Sequence, residues 1–183
     1  MIFRVLPRAY ADGQDLGARE RMALASTYAG LAFTRANVGN VHAIAHQLGG
    51  LYHTPHGLAN AILLPVVLRF SAQAAQARLA ALARRLGLGT PRDGEARLAR
   101  RFIEAVEAMN RTLGIPQQLA ALRAQDIPAL AQAACHEADT SYPVPRVMSR
   151  SDCEALLREV LPARAAAPRA PARKARKKKP GVG

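Results

Sequence analysis

Apolar residues along this chain recur mostly at steps of three and four, the period of a helix with one buried face. The clearest run is Leu98, Phe102, Val106, Met109 and Leu113, which predicts an amphipathic helix over 94–113, stopped by Gly114 and Pro116. Upstream, Met22, Ala25, Tyr28, Ala29, Ala32 and Phe33 share one side of a helix predicted over 16–35, with Asp15 as its cap. A short helix over 41–48 should end at Gly49 and Gly50, where a left-handed cap costs little. Another should run from His56 to Phe70 and bend at Pro65, whose ring removes a backbone donor. Ser71 should open a helix with Leu79, Leu82 and Leu86 inward, closed by Gly87 and Gly89.

Two further helices are predicted over 117–124 and 127–138, the second capped by Asp126 with Pro128 in its first turn. A loop containing Pro143 and Pro145 follows. Ser151 and Glu154 have the spacing of a capping box for a last helix ending near Leu161. At the other end, Ile2, Phe3, Val5 and Leu6 crowd a short stretch before the turn at Asp12 and Gly13, and they need a surface to pack on. The fold class expected is therefore all-α, a helical array.

Composition supports this and locates the charge. Half of the 183 residues are hydrophobic, but aromatics are only 4% and strand formers are sparse. The net charge of +13 is uneven: residues 162–183 carry eight basic residues and no acidic one, leaving +5 on residues 1–161. All four lysines lie in that tail, which has nothing to bury and should be disordered. Such a tail could attract a polyanion weakly, yet it has no aromatic residue to stack on bases. Cys135 and Cys153 lack a paired spacing and read as structural thiols in a reducing cytoplasm. No apolar run approaches the roughly 20 residues of a membrane span.

Four of the five histidines, His42, His46, His53 and His56, fall within fifteen residues, in VHAIAHQLGGLYHTPHGLANAILLP. His42 and His46 are one helical turn apart, so their imidazoles can approach one point. A turn near Gly49 would bring His56 back to the same place. A divalent metal is the simplest reason to converge neutral imidazoles. The pair does not belong to an HExxH hydrolase, because Ala43 stands where the general-base glutamate would be. His53 reads as a structural histidine.

The strings AGLAF, GNVHAIAHQLGGLY and PHGLANAILLP together resemble the iron-containing (group III) alcohol dehydrogenases, with the likeness running over about 1–161. In that family a nucleotide-binding α/β domain precedes an all-α domain, and an aspartate and three histidines hold the metal between them. The resemblance implies that His42 and His56 are metal ligands and that His46 is a catalytic proton relay beside the nicotinamide. It places Phe33 near the substrate pocket. It implies Fe(2+), or Zn(2+) or another divalent metal, with NAD(P) as cofactor and a small alcohol or aldehyde as substrate. The metal would act as a Lewis acid ahead of hydride transfer. Homo-oligomeric assembly is expected of the family.

The family's aspartate, its first histidine ligand and its glycine-rich pyrophosphate loop have no counterpart in this chain, and Met1 falls inside what should be a helix. The chain is thus expected to be a C-terminal fragment, lacking the N-terminal domain and inactive alone. A departure in the late loop is Val144-Pro145-Arg146 in place of the family's Asn-Pro-Arg. Maleylacetate reductases share the architecture but resemble a string with alanine after the last histidine, where this chain has Gly57. The reductase is the runner-up, together with a helical protein binding polyanions through its tail.

Overall fold

The structure, a computed structural model, describes residues 1–163. Among these residues there are eight α-helices and no strand. The all-α expectation holds. The expected disorder of the tail falls almost wholly on 164–183, outside the described residues.

Helices α1 (Ile2–Ala11) and α2 (Leu16–Ala36) form a hairpin through the Asp12–Gly13 turn. Asp15 caps α2 by accepting from the Ala18 N–H, and its other oxygen accepts from Arg8 at 2.7 Å, tying the two helices together. The apolar residues of α1 find their surface in part. Val5 is buried, and the ring of Phe3 lies 6.0 Å from that of Phe102 on a later helix. The inward face predicted for α2 holds only as far as Ala25. Tyr28, Ala29, Ala32 and Phe33 are exposed, because α1 is the main element packed on α2 and it covers only the first half.

Helix α3 (Asn40–Tyr52) runs straight through Gly49 and Gly50. The left-handed position predicted at the glycines falls instead on His53, with φ 54° and ψ 29°, and the His53 N–H still reaches the Gly49 carbonyl at 3.0 Å. Helix α4 (His56–Ser71) returns alongside α3. Pro65 lies buried within it, and the carbonyl of Ala61, which a proline cannot serve, accepts instead from the Asn110 carboxamide at 2.7 Å. Asn110 lies on α6 (Glu95–Thr112). The proline thereby helps select the helix that packs beside α4.

Ser71 ends α4 and does not open the next helix, α5 (Gln76–Arg85), which closes at Gly87 with φ 72°. Leu79 is buried as expected, but Leu82 is exposed at 44%, its place taken by Ala80 and Ala83 against Leu98. No α-helix forms over 117–124. Leu119 is buried there, and its N–H bonds the Val160 carbonyl at 2.8 Å, so the segment is held by a distant strand of chain, not by its own turns. A 3-10 turn (Ala124–Asp126) leads into α7 (Ile127–Ser141).

The capping box of α8 (Arg150–Glu159) uses Ser149 and Asp152, two residues before the expected pair. The main core joins α3, α4, α7 and α8 through Ile44, Leu48, Leu63, Ile127, Leu157 and Val160. A smaller core joins α5 and α6.

Replacing Asn110 by alanine should leave the part-buried Ala61 carbonyl without its donor and cost about 1 kcal/mol, read as a lower urea midpoint. A second expectation concerns pH. Hydrogen bonds from the Ser149 hydroxyl and N–H hold the Asp152 carboxyl below its ordinary value near 3.8. The cap contributes above that value and is lost as pH falls through the lowered one. Asp152→Ala should therefore cost about 1 kcal/mol at pH 7 and progressively less below about pH 4 in urea unfolding series.

Candidate metal centre

The face of α3 opposite its core residues carries His42 and His46. Ala43, Ile44, Ala45 and Leu48 are buried, while His42 is half-buried and His46 exposed. The return turn is pinned from outside the hairpin. Tyr52 donates its hydroxyl hydrogen to Asp126 at 2.6 Å and accepts from the Arg123 N–H at 3.2 Å, so the end of α3 is fixed to the entry of α7. Asp126, expected as a side-chain cap of α7, makes no such cap. Past His53 and Pro55, α4 begins at His56, which brings the third imidazole to the first two.

Ring centroids of His42 and His56 lie 5.2 Å apart, those of His46 and His56 5.3 Å, and those of His42 and His46 5.8 Å. Two imidazoles bound to one metal at about 2.1 Å with a tetrahedral angle have centroids roughly 5 Å apart, a spacing that the His42–His56 and the His46–His56 pairs both meet. Burial, then the charges His56 and His46 would carry, push the pKa of His42 down, with Glu137 opposing. The neutral ring, the form that ligates, is favoured.

Nearness of rings is not convergence of lone pairs. Among the described residues, no three or more His, Cys, Asp or Glu side chains form a group that could hold a metal. His46 turns Nδ1 to Glu137 at 2.7 Å, and His56 Nε2 accepts from the Asn60 amide at 3.0 Å. The Asn60 side-chain oxygen is buried without a partner. The donor set therefore fits two ligands of a divalent ion and not a closed site.

Phe33 lies near the end of α2, 55% exposed, seven residues before α3. His53 serves the turn, which agrees with its structural reading. Cys135 donates to the Met148 carbonyl at 3.4 Å and Cys153 is fully buried; burial pushes both thiols up. They are structural residues of the α7–α8 packing.

The sequence reading missed Glu137, Gln47 and Tyr142. Glu137 on α7 takes the His46 contact on one oxygen, shares it with the Tyr142 hydroxyl at 2.6 Å, and accepts from Gln47 on the other oxygen at 2.7 Å. Burial works to raise its pKa, but these donors, Tyr142 foremost, hold it below the usual carboxylate range. Tyr142 is pushed up to about 12 by the same hydrogen bond. Glu137 is 91 positions from His46, and nothing local in the string marks the pairing.

A family model described as Fe-containing alcohol dehydrogenase family, C-terminal, matches residues 1–161. The chain belongs to the iron-containing alcohol dehydrogenase family. Within that family, 1,3-propanediol dehydrogenase of Klebsiella pneumoniae is 40% identical over 161 residues, which are 87% of this chain and 41% of that enzyme. The NAD-dependent methanol dehydrogenase of Bacillus methanolicus is 37% identical over 163 residues, 88% of this chain and 42% of the enzyme. A crystal structure of a 1,3-propanediol oxidoreductase matches with a TM-score of 0.83 at 39% identity, over 87% of this chain and 42% of that one. The chain spans about two fifths of the length of these relatives.

Proposed function

We propose that residues 1–161 form the metal-binding, all-α part of an NAD(P)-linked oxidoreductase of small alcohols or aldehydes, with His42 and His56 as metal ligands and His46 as proton relay. The observation that carries the reading is the clustering of the His42, His46 and His56 rings at 5.2 to 5.8 Å across the α3–α4 hairpin, and the division of roles among them follows the family resemblance. A divalent metal, iron(II) or zinc, when bound supplies Lewis acidity toward an alcohol oxygen, and NAD(P) supplies the hydride acceptor.

The chain's own residues prepare that site. Burial disfavours charge on His42, and the turn anchored by Tyr52 brings His56 to it. His46, whose ring lies 5.8 Å from that of His42 and 5.3 Å from that of His56, is assigned the alcohol proton. Phe33 is assigned to the substrate side. Residues 162–183 carry eight basic residues and no acidic one, a composition that supports at most weak attraction to polyanions. Homo-oligomeric assembly follows the family resemblance, and the two free thiols favour a cytoplasmic setting. Among the described residues, no helix is long and apolar enough to cross a membrane.

Zinc titrated calorimetrically into the purified chain should bind, and the affinity should fall at least about tenfold in His42→Ala and in His56→Ala while Phe33→Ala keeps it. Equal binding by all four proteins would overturn the ligand assignment. Catalytic sites use three or more protein ligands. The chain alone should therefore reduce NAD(P) with an alcohol no faster than its His42→Ala variant.

A further inference from the structure

An exposed histidine on a helix has no need of a protein partner. The His46 side chain is 42% exposed, so water alone could satisfy both ring nitrogens, and an ion pair in that setting adds little stability. Yet Glu137 is held in place to meet it. Tyr142 and Gln47 occupy the carboxylate from two sides, at 2.6 and 2.7 Å, and the Gln47 amide is itself braced on the Ala43 carbonyl at 3.2 Å. The carboxylate is thus oriented before it contacts the imidazole. An arrangement of this kind chooses one ring nitrogen over the other, as carboxylates behind functional histidines do.

We propose that Glu137 is a positioning residue: by accepting at Nδ1 it fixes His46 as the Nδ1–H tautomer and leaves Nε2 as the lone-pair nitrogen of the ring. This rests on the reading of His46 as the proton relay. The consequence for that role is direct, since a nitrogen that already carries hydrogen cannot accept the proton of an alcohol. Glu137 acts only through His46. Tyr142 and Gln47 act one step further back, by holding the carboxylate.

Long-range 1H–15N spectra of the imidazoles report which nitrogen bears the proton. They would be taken on the full 183-residue chain without metal near pH 8.5, about two units above an ordinary imidazole pKa, with His46 assigned by its loss in His46→Gln. Wild type should show Nδ1–H at His46. Glu137→Gln, which keeps an acceptor oxygen, should retain it, and Glu137→Ala should move the proton to Nε2 in most molecules. Nε2–H in the wild type, or the same tautomer in wild type and Glu137→Ala, would overturn the proposal. Should Glu137→Ala lose its helical circular dichroism, wild type and Glu137→Gln decide: Nδ1–H in both supports it and Nε2–H in either overturns it.

Zinc binding separates this proposal from the ligand assignment. Glu137→Ala should bind within about threefold of wild type. A loss as large as that of His42→Ala would make His46 a ligand and overturn the relay-positioning role. Unchanged zinc binding in His42→Ala and His56→Ala together with a tautomer shift in Glu137→Ala would remove the ligand assignment while the positioning of His46 stands.

Discussion

The packing of α3 between α4 and α7 is the constraint on which the histidine cluster depends. Ala43, Ala59, Ala131 and Ala134 are fully buried, and such small side chains let helices approach closely. Ile44, Leu48, Leu63 and Ile127 fill the remaining space. Once the buried face of α3 is set, His42 and His46 have only the opposite face to occupy. The approach of α4 then decides where His56 stands, and that of α7 decides where Glu137 stands. No side chain of the cluster contributes to this core, so its chemistry can vary without unmaking the fold.

What the sequence showed of this was the local part. The four-residue step from His42 to His46 is a property of one helix, and the turn before His56 is marked by proline. The amphipathic run now seen as α6 was legible for the same reason. The failures share a cause as well, since each depended on a partner far along the chain. Gly49 and Gly50 invited a stop, but the Tyr52 hydroxyl is anchored by Asp126 and Arg123, and the helix continues until that anchor is placed. Residues 117–124 have helix-forming composition, yet the Leu119 N–H is taken by Val160. The outer half of α2 has an apolar pattern with nothing described to cover it. Glu137 is the sharpest case, for a carboxylate in an alanine-rich helix carries no sign of the imidazole it will meet.

Electrostatics within the cluster follow from its half-open position. Burial disfavours charge on His42 before any neighbour acts, and two adjacent imidazoles add to that effect. His46, farther out, has a carboxylate instead. One helix thus presents two histidines one turn apart in different surroundings, one kept neutral by desolvation and one held by an acceptor. Identical residue types at helical spacing therefore diverge in surroundings because of depth and of what α7 places beside them.

That divergence bears on why the family is so readable here while the described residues form no closed donor set for a metal. Family membership rests on strings that encode the hairpin and its core, which the described residues complete among themselves. Metal binding rests on convergent lone pairs, and of the three neighbouring rings one is turned to Glu137 and another meets Asn60. Two of the three rings thus already have partners within the protein. In this arrangement His56 Nε2 accepts from the Asn60 amide at 3.0 Å, and the side-chain oxygen of that same carboxamide is buried without a partner.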